Sequence, residues 1–150
     1  MKTRLFTLLI ASLLTFSNCK KEEDNTPISS SPSTPTSSTN MKLLTNGTVK
    51  GWKFISSKFN GNDITQECEK DDVYAFNTNG NYIVHTNANK CSSNEPDEVA
   101  NTWEFNNDEK EITWVTGFGT FEMKIIELTE TRLKVKQETN VVFELTFEAE

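Results

Sequence analysis

The side chains of this 150-residue chain that could do chemistry are three cysteines, one histidine, a cluster of carboxylates and a set of aromatics. Cys68 and Cys91 bracket the stretch "CEKDDVYAFNTNGNYIVHTNANKC". A zinc site or a redox centre would use closely spaced cysteines such as Cys-x-x-Cys. Here the two stand far apart, and the only histidine is His85. Glu67, Glu69, Asp71 and Asp72 offer oxygens of the kind calcium takes, but without EF-hand spacing. No Ser-His-Asp arrangement, Gly-rich phosphate loop or nucleotide motif is present. No pair of carboxylates can be placed in one pocket for general acid–base work. The residues therefore point away from an enzyme, and they call for no cofactor and no metal.

What the two cysteines do depends on compartment, and the N-terminus speaks to that. Lys2 and Arg4 precede an apolar run, "LFTLLIASLLTF", of the length of an export signal. It is shorter than the roughly 20 apolar residues of a membrane-spanning helix. The following "TFSNCKKEED" resembles the lipobox of bacterial lipoproteins, with Cys19 as the acylated residue. The cluster Lys20 to Asp24 resembles the export signal of surface-exposed Bacteroidota lipoproteins. The division expected is a signal over 1–18, a lipidated cysteine and a Ser/Thr/Pro-rich tether over 19–47, and one domain over 48–150. "NTPISSSPSTPTSSTN" within the tether has too little apolar surface to offset its ordering entropy. The expected location is the outer membrane, lipid-anchored and facing outward, with attachment facing the periplasm as the alternative. Acylation of Cys19 leaves an even pair, and in an oxidising compartment Cys68 and Cys91 default to a disulfide.

Removing Lys2 and Arg4 with the signal leaves 13 basic against 22 acidic residues. Such an excess of negative charge excludes nucleic acid as a partner. A monomer is expected, with the membrane reached through the N-terminal anchor.

The elements that must position these groups are strands. Apolar residues recur at every second position in eight short runs. Trp52 and Phe54 share a face, as do Tyr74 and Phe76, Tyr82 and Val84, and Trp103 and Phe105. Ile112 and Trp114 follow, then Phe121, Met123 and Ile125, then Leu133 and Val135, then Val141, Phe143, Leu145 and Phe147. Turn signals such as Asn79-Gly80 and Asn107-Asp108 separate them, so sequence neighbours pair as antiparallel hairpins. The expected fold is all-β: a small eight-stranded antiparallel up-and-down barrel with one disulfide, which leaves no open edge. A two-sheet sandwich is the alternative. The stretch "NDITQEC" reads as one short helical turn capped by Asp63.

Two hairpin registers fit the Cys68–Cys91 stretch. A two-residue Asn79-Gly80 turn places Cys68 opposite Cys91. A three-residue loop, Thr78 to Gly80, places Phe76 across from Tyr82 and Tyr74 across from Val84, all inward, with His85 outward. The second keeps the aromatics on the core face and is the one expected. Facing Cα atoms in an antiparallel pair lie about 4.5–5.5 Å apart, within disulfide reach.

With these residues in place, the chain resembles the lipocalin-like domain of small Bacteroidota outer-membrane lipoproteins. The match lies in Cys-x-Lys-Asp-Asp from Cys68, Tyr-x-Phe-x-x-x-Gly-x-Tyr from Tyr74, Lys90-Cys91 and Thr-Trp-x-Phe from Thr102. The resemblance implies a small barrel with a disulfide and no enzymatic activity. An eight-stranded barrel is either filled by side chains or holds one small ligand. The residues that would line such a cavity are Trp52, Tyr74, Phe76, Tyr82, Trp103, Phe105, Trp114, Phe121 and Phe143, and the partner would be a small apolar molecule. In lipocalins an arginine covers the first-strand tryptophan; Arg132 is the residue available, although its place beside a turn favours exposure.

Overall fold

A computed structural model describes residues 38–150. The expected signal, Cys19 and the Ser/Thr/Pro-rich stretch up to residue 37 lie outside the described residues. The described chain begins with a helix, α1 (Thr39–Thr45), followed by β1 (Val49–Phe59) and a two-residue strand, β2 (Asn62–Asp63). A 3-10 turn at Glu67–Glu69 leads into β3 (Val73–Asn77), β4 (Asn81–His85) and β5 (Glu98–Phe105). The chain ends with β6 (Glu111–Thr116), β7 (Gly119–Leu128), β8 (Arg132–Glu138) and β9 (Val142–Ala149).

Each strand pairs antiparallel with its sequence neighbour from β3 to β9, and β1 pairs with both β3 and β9. The β1–β9 ladder runs from Trp52 opposite Ala149 to Phe59 opposite Phe143. That pairing closes eight strands into a barrel and removes the sandwich alternative. The β3–β4 register sets Phe76 opposite Tyr82 and Tyr74 opposite Val84. This is the three-residue loop, with Gly80 at φ +83° as its left-handed residue.

β2 is less a ninth strand than the outer end of β3. Lys58 faces Asp63, while Lys53 faces Val73. Five residues of β1 are thus matched by ten on the opposite side. The excess leaves the ladder as residues 64–72, including the 3-10 turn. Ile64 N–H still donates to Ser57 O at 3.0 Å, and Phe54 N–H to Asp72 O at 2.9 Å. This irregular segment therefore forms the barrel wall beside the outer half of β1. The short helical turn is capped by Gln66 rather than Asp63. The Asp63 carboxylate instead accepts from the Thr65 N–H, two residues on. Cys68 and Cys91 are bonded, with Cα atoms 5.1 Å apart, and fasten the segment to the β4–β5 loop.

One end of the barrel is closed by α1. Ser38 caps the helix by accepting from Met41 N–H, and Asn46 ends it in the left-handed conformation. Leu44 and Thr45 are fully buried. Packed residues thus begin ahead of position 48, inside the stretch assigned by sequence to the tether. Lys50 closes the same end. Its Nζ donates to Leu43 O at 3.0 Å and Glu130 O at 2.6 Å, and lies 4.1 Å from the Trp52 ring centroid. Burial lowers the Lys50 pKa, and Glu130 opposes that shift. Lys50, and not Arg132, covers the first-strand tryptophan. Arg132 is exposed beside Glu127.

Candidate binding site at the open end of the barrel

The up-and-down path puts the β3–β4, β5–β6 and β7–β8 turns at the end closed by α1. The β1–β2, β4–β5, β6–β7 and β8–β9 connections surround the other end. The inner face changes character between the two. Trp52, Phe76, Tyr82 and Trp103 are buried, and their rings form part of a continuous core. Phe76 stacks on Tyr82 at 5.0 Å and meets Trp103 edge-on at 5.7 Å. The indole N–H of Trp52 donates to Leu44 O, and that of Trp103 is shared between Asn77 O and Asn81 O. These four expected cavity-lining residues fill the closed half as packed core. Phe105 packs partly buried against Trp103 at 5.1 Å.

The other four belong to the open half. Tyr74 stacks on Tyr82 at 6.3 Å and meets Phe147 edge-on at 5.0 Å. Trp114 is buried 6.0 Å from Tyr82 and 6.2 Å from Phe147. Its indole nitrogen has no hydrogen-bond partner, which leaves a buried donor unspent. Phe121, opposite Trp114 on β7, and Phe143 on β9 are only partly buried.

Register adds residues that sequence reasoning missed. Phe59 faces Phe143 across β1–β9 and is 42% exposed. Val84 and Val99 continue the row that starts at Tyr74. Exposed Phe59 and Val99, with partly buried Tyr74, Val84, Phe121 and Phe143, thus give the open end an apolar inner lip.

Asp72 precedes Tyr74 by two and takes the same inner face. It is 8% exposed, and its Oδ1 has no hydrogen-bond partner. Burial raises its pKa to about 6, reinforced by Glu95, Asp71 and Glu69, while the Asn87 backbone amide pulls the other way. Burial and the nearby Asp72 charge also raise the Tyr74 hydroxyl pKa. Burial pushes Tyr82 up to about 12. Asp71 holds the β4–β5 loop by accepting from Asn89 N–H at 3.1 Å and, through its carbonyl, from the Asn87 amide. Glu67 pairs with Lys70 at the surface. Among the described residues no group of three or more His, Cys, Asp or Glu side chains is arranged to hold a metal ion. His85 lies on the outward side, 3.2 Å from Glu98.

A surface depression of about 720 Å³ sits outside the barrel at the closed end, bordered by Met41, Asn79, Asn81, Asn106 and Asn107. It shares neither the apolar lip nor Asp72.

A family model described as a lipocalin-like domain matches residues 45–135. That span takes in β1 to β7 and the first half of β8, with the disulfide and most of the lip. No curated protein and no solved structure matches the chain.

Proposed function

Since the chain belongs to the lipocalin-like domain family, we propose that it is a non-enzymatic binding module that takes a small apolar molecule at the open end of its barrel. The observation that carries this reading is the asymmetry of the inner face. One half is filled and closed by α1, and the other ends in exposed Phe59 beside partly buried Phe121 and Phe143. Partly exposed aromatics at the end of a barrel are apolar surface that a small apolar ligand can bury. Asp72 is a carboxyl of raised pKa, and Phe54, Tyr74 and Val84 are among its neighbours on the inner face.

We further propose that the module is held at the outer face of the outer membrane by acylated Cys19, with the Ser/Thr/Pro-rich stretch as spacer. The lipobox-like "SNCKKEED" supports this. More than one acyl chain on a single cysteine would anchor stably. Radiolabelled palmitate uptake by the native protein and by Cys19→Ala tests it. Equal labelling would end the proposal.

For the binding reading, the test is native mass spectrometry of protein purified from its own membrane, combined with displacement of an apolar fluorescent dye. A co-purifying small molecule that competes with the dye is the expected result. Repeated absence of both co-purification and dye uptake would overturn it.

A second reading has its own observation. Phe118, at the tip of the β6–β7 hairpin between two glycines, is 98% exposed, and Ile64 and Val141 are exposed on neighbouring rim connections. An apolar rim of this kind suits contact with another protein. Phe118→Ser separates the readings: it leaves dye uptake intact if the ligand enters the mouth, and abolishes capture of a partner if the rim is the site.

A further inference from the structure

We propose that the ligand of the barrel mouth is a cationic amphiphile, an apolar body carrying an amine or quaternary ammonium, with Asp72 as its counter-charge. This rests on the binding reading above and narrows it to a chemical class.

The argument begins with what the open half of the inner face contains. By register its positions on β1, β3 and β4 are Phe54, Ser57, Phe59, Tyr74 and Val84, and the Phe54 N–H bond to Asp72 O carries the pattern one residue ahead of β3, to Asp72. Those on β5 to β9 are Val99, Asn101, Trp114, Thr116, Phe121, Gln137, Phe143 and Leu145. Asp72 alone among them ionises near neutral pH. No lysine or arginine occupies any of these positions, so a fatty-acid carboxylate would find no counter-charge there.

Second, Asp72 is held in a costly state. A buried carboxylate oxygen without a partner loses hydration and receives nothing in return. The charges around it make matters worse, because Glu69, Asp71 and Glu95 are all acidic. The lysines of the same region are engaged elsewhere: Lys70 with Glu67, and Lys90 with Asp97 at 2.5 Å. An ammonium group reaching Asp72 would relieve both the desolvation and the repulsion.

Third, the neighbouring surfaces suit the rest of such a molecule. Tyr74 presents an aromatic ring next to Asp72, and aromatic faces attract cations. Phe59, Phe121 and Phe143 supply apolar area for a chain or ring system. Asp72 has aromatic neighbours along the inner face, and among the described residues no group of three or more carboxylates converges as a metal ion would need, so the site suits an organic cation better.

The experiment uses three probes with the same decyl chain, each below its micelle concentration: decyltrimethylammonium, decanol and decanoate. Binding to the whole domain is followed by tryptophan fluorescence and by calorimetry at pH 7.5. The cation is expected to bind tightest and decanoate weakest, with steps on the order of tenfold. In Asp72→Asn the cation should fall to the affinity of the alcohol. Glu104→Gln, on the outward face, should leave the series unchanged. The cation should also weaken between pH 7 and pH 5 as Asp72 takes up a proton. Equal affinities, or a preference for decanoate, would overturn the inference while leaving the binding module standing. No binding by any of the three would overturn both.

Discussion

The indole N–H of Trp52 donates to the carbonyl oxygen of Leu44 at 2.8 Å, and both residues are fully buried. The first strand's core tryptophan is thereby tied to the helix that closes the barrel. Leu44 has no partner strand, so only this packing holds it. Leu44→Ala should cost about 2–4 kcal/mol, the usual penalty for truncating a buried leucine. A chain starting at residue 48 should melt well below one starting at residue 38. Urea denaturation measures both, and a loss under about 1 kcal/mol for Leu44→Ala would mean that the helix is not part of the core.

The Cys68–Cys91 bond restrains the segment that leaves the β1–β3 ladder. Replacing both cysteines by serine should lower stability by roughly 2–4 kcal/mol, given the length of loop it closes. The barrel ladders do not pass through the bond, so the far-ultraviolet spectrum should stay that of a β protein. Hydrogen exchange should quicken first in residues 64–72 and in the β4–β5 loop. Uniform loss of protection across the barrel would contradict that local role.

Asp72 makes stability depend on pH in an unusual direction. Its pKa in the folded state is raised to about 6 from the ordinary aspartate value of 3.8. Below pH 3.8 both folded and unfolded chains hold the proton, and Asp72 imposes no penalty. Between 3.8 and 6 the unfolded chain releases it first, so stability falls as pH rises, and the loss is complete above about pH 6. Asp72→Asn should therefore raise stability at pH 7.5 by about 1–2 kcal/mol, discounted for solvent screening, and change little at pH 3.5. Thermal melts of the two proteins across this range check it. A gain that is equal at both pH values would show that charge is not the cause.

Gly80 occupies the left-handed position of the β3–β4 loop at φ +83°. A Cβ built there would also stand 3.2 Å from Trp103 O. That region is structurally crowded, because Trp103 N–H donates to Gly80 O at 2.8 Å. Gly80→Ala should destabilise by roughly 1–2 kcal/mol, from backbone strain together with the close approach. Gly117→Ala, where φ is not positive and no atom lies within 4 Å, should be close to neutral. Chemical denaturation of the pair settles whether conformation or composition matters at these turns.

Period-two patterning was enough to place Tyr74, Phe76, Tyr82 and Trp114 on one inner surface, because a single-faced strand leaves no freedom in which residues point inward. The loop register was legible for the same reason: only the three-residue loop kept Phe76 opposite Tyr82. Phe59 escaped notice because the β1–β9 register shifts between Phe54 and Ser56. A one-residue bulge flips parity, so the inner row continues at Ser57 and Phe59 instead of Ser56 and Lys58. The helix α1 was hidden because seven residues next to a Ser/Thr/Pro tract carry too little periodicity, and its stability comes from tertiary packing. Asp72 was visible as a charge in an acidic loop. Its parity with Tyr74 and Phe76 was the signal of its inward position, but burial depended on a wall segment that follows no repeat.

The five extra residues opposite β1 leave the barrel with one stretch of wall that is not woven into the ladder. Within the strands, an insertion or deletion would slip a strand and turn its core face outward. Between Ile64 and Asp72 the chain can change length, shape and charge while the bond from Cys68 keeps the middle of the stretch fastened to the β4–β5 loop. This is where the fold is most open to revision, by natural variation or by engineering. Because the same stretch carries Asp72 to the mouth, exchanging it would alter what the barrel accepts while leaving intact the framework that does the accepting.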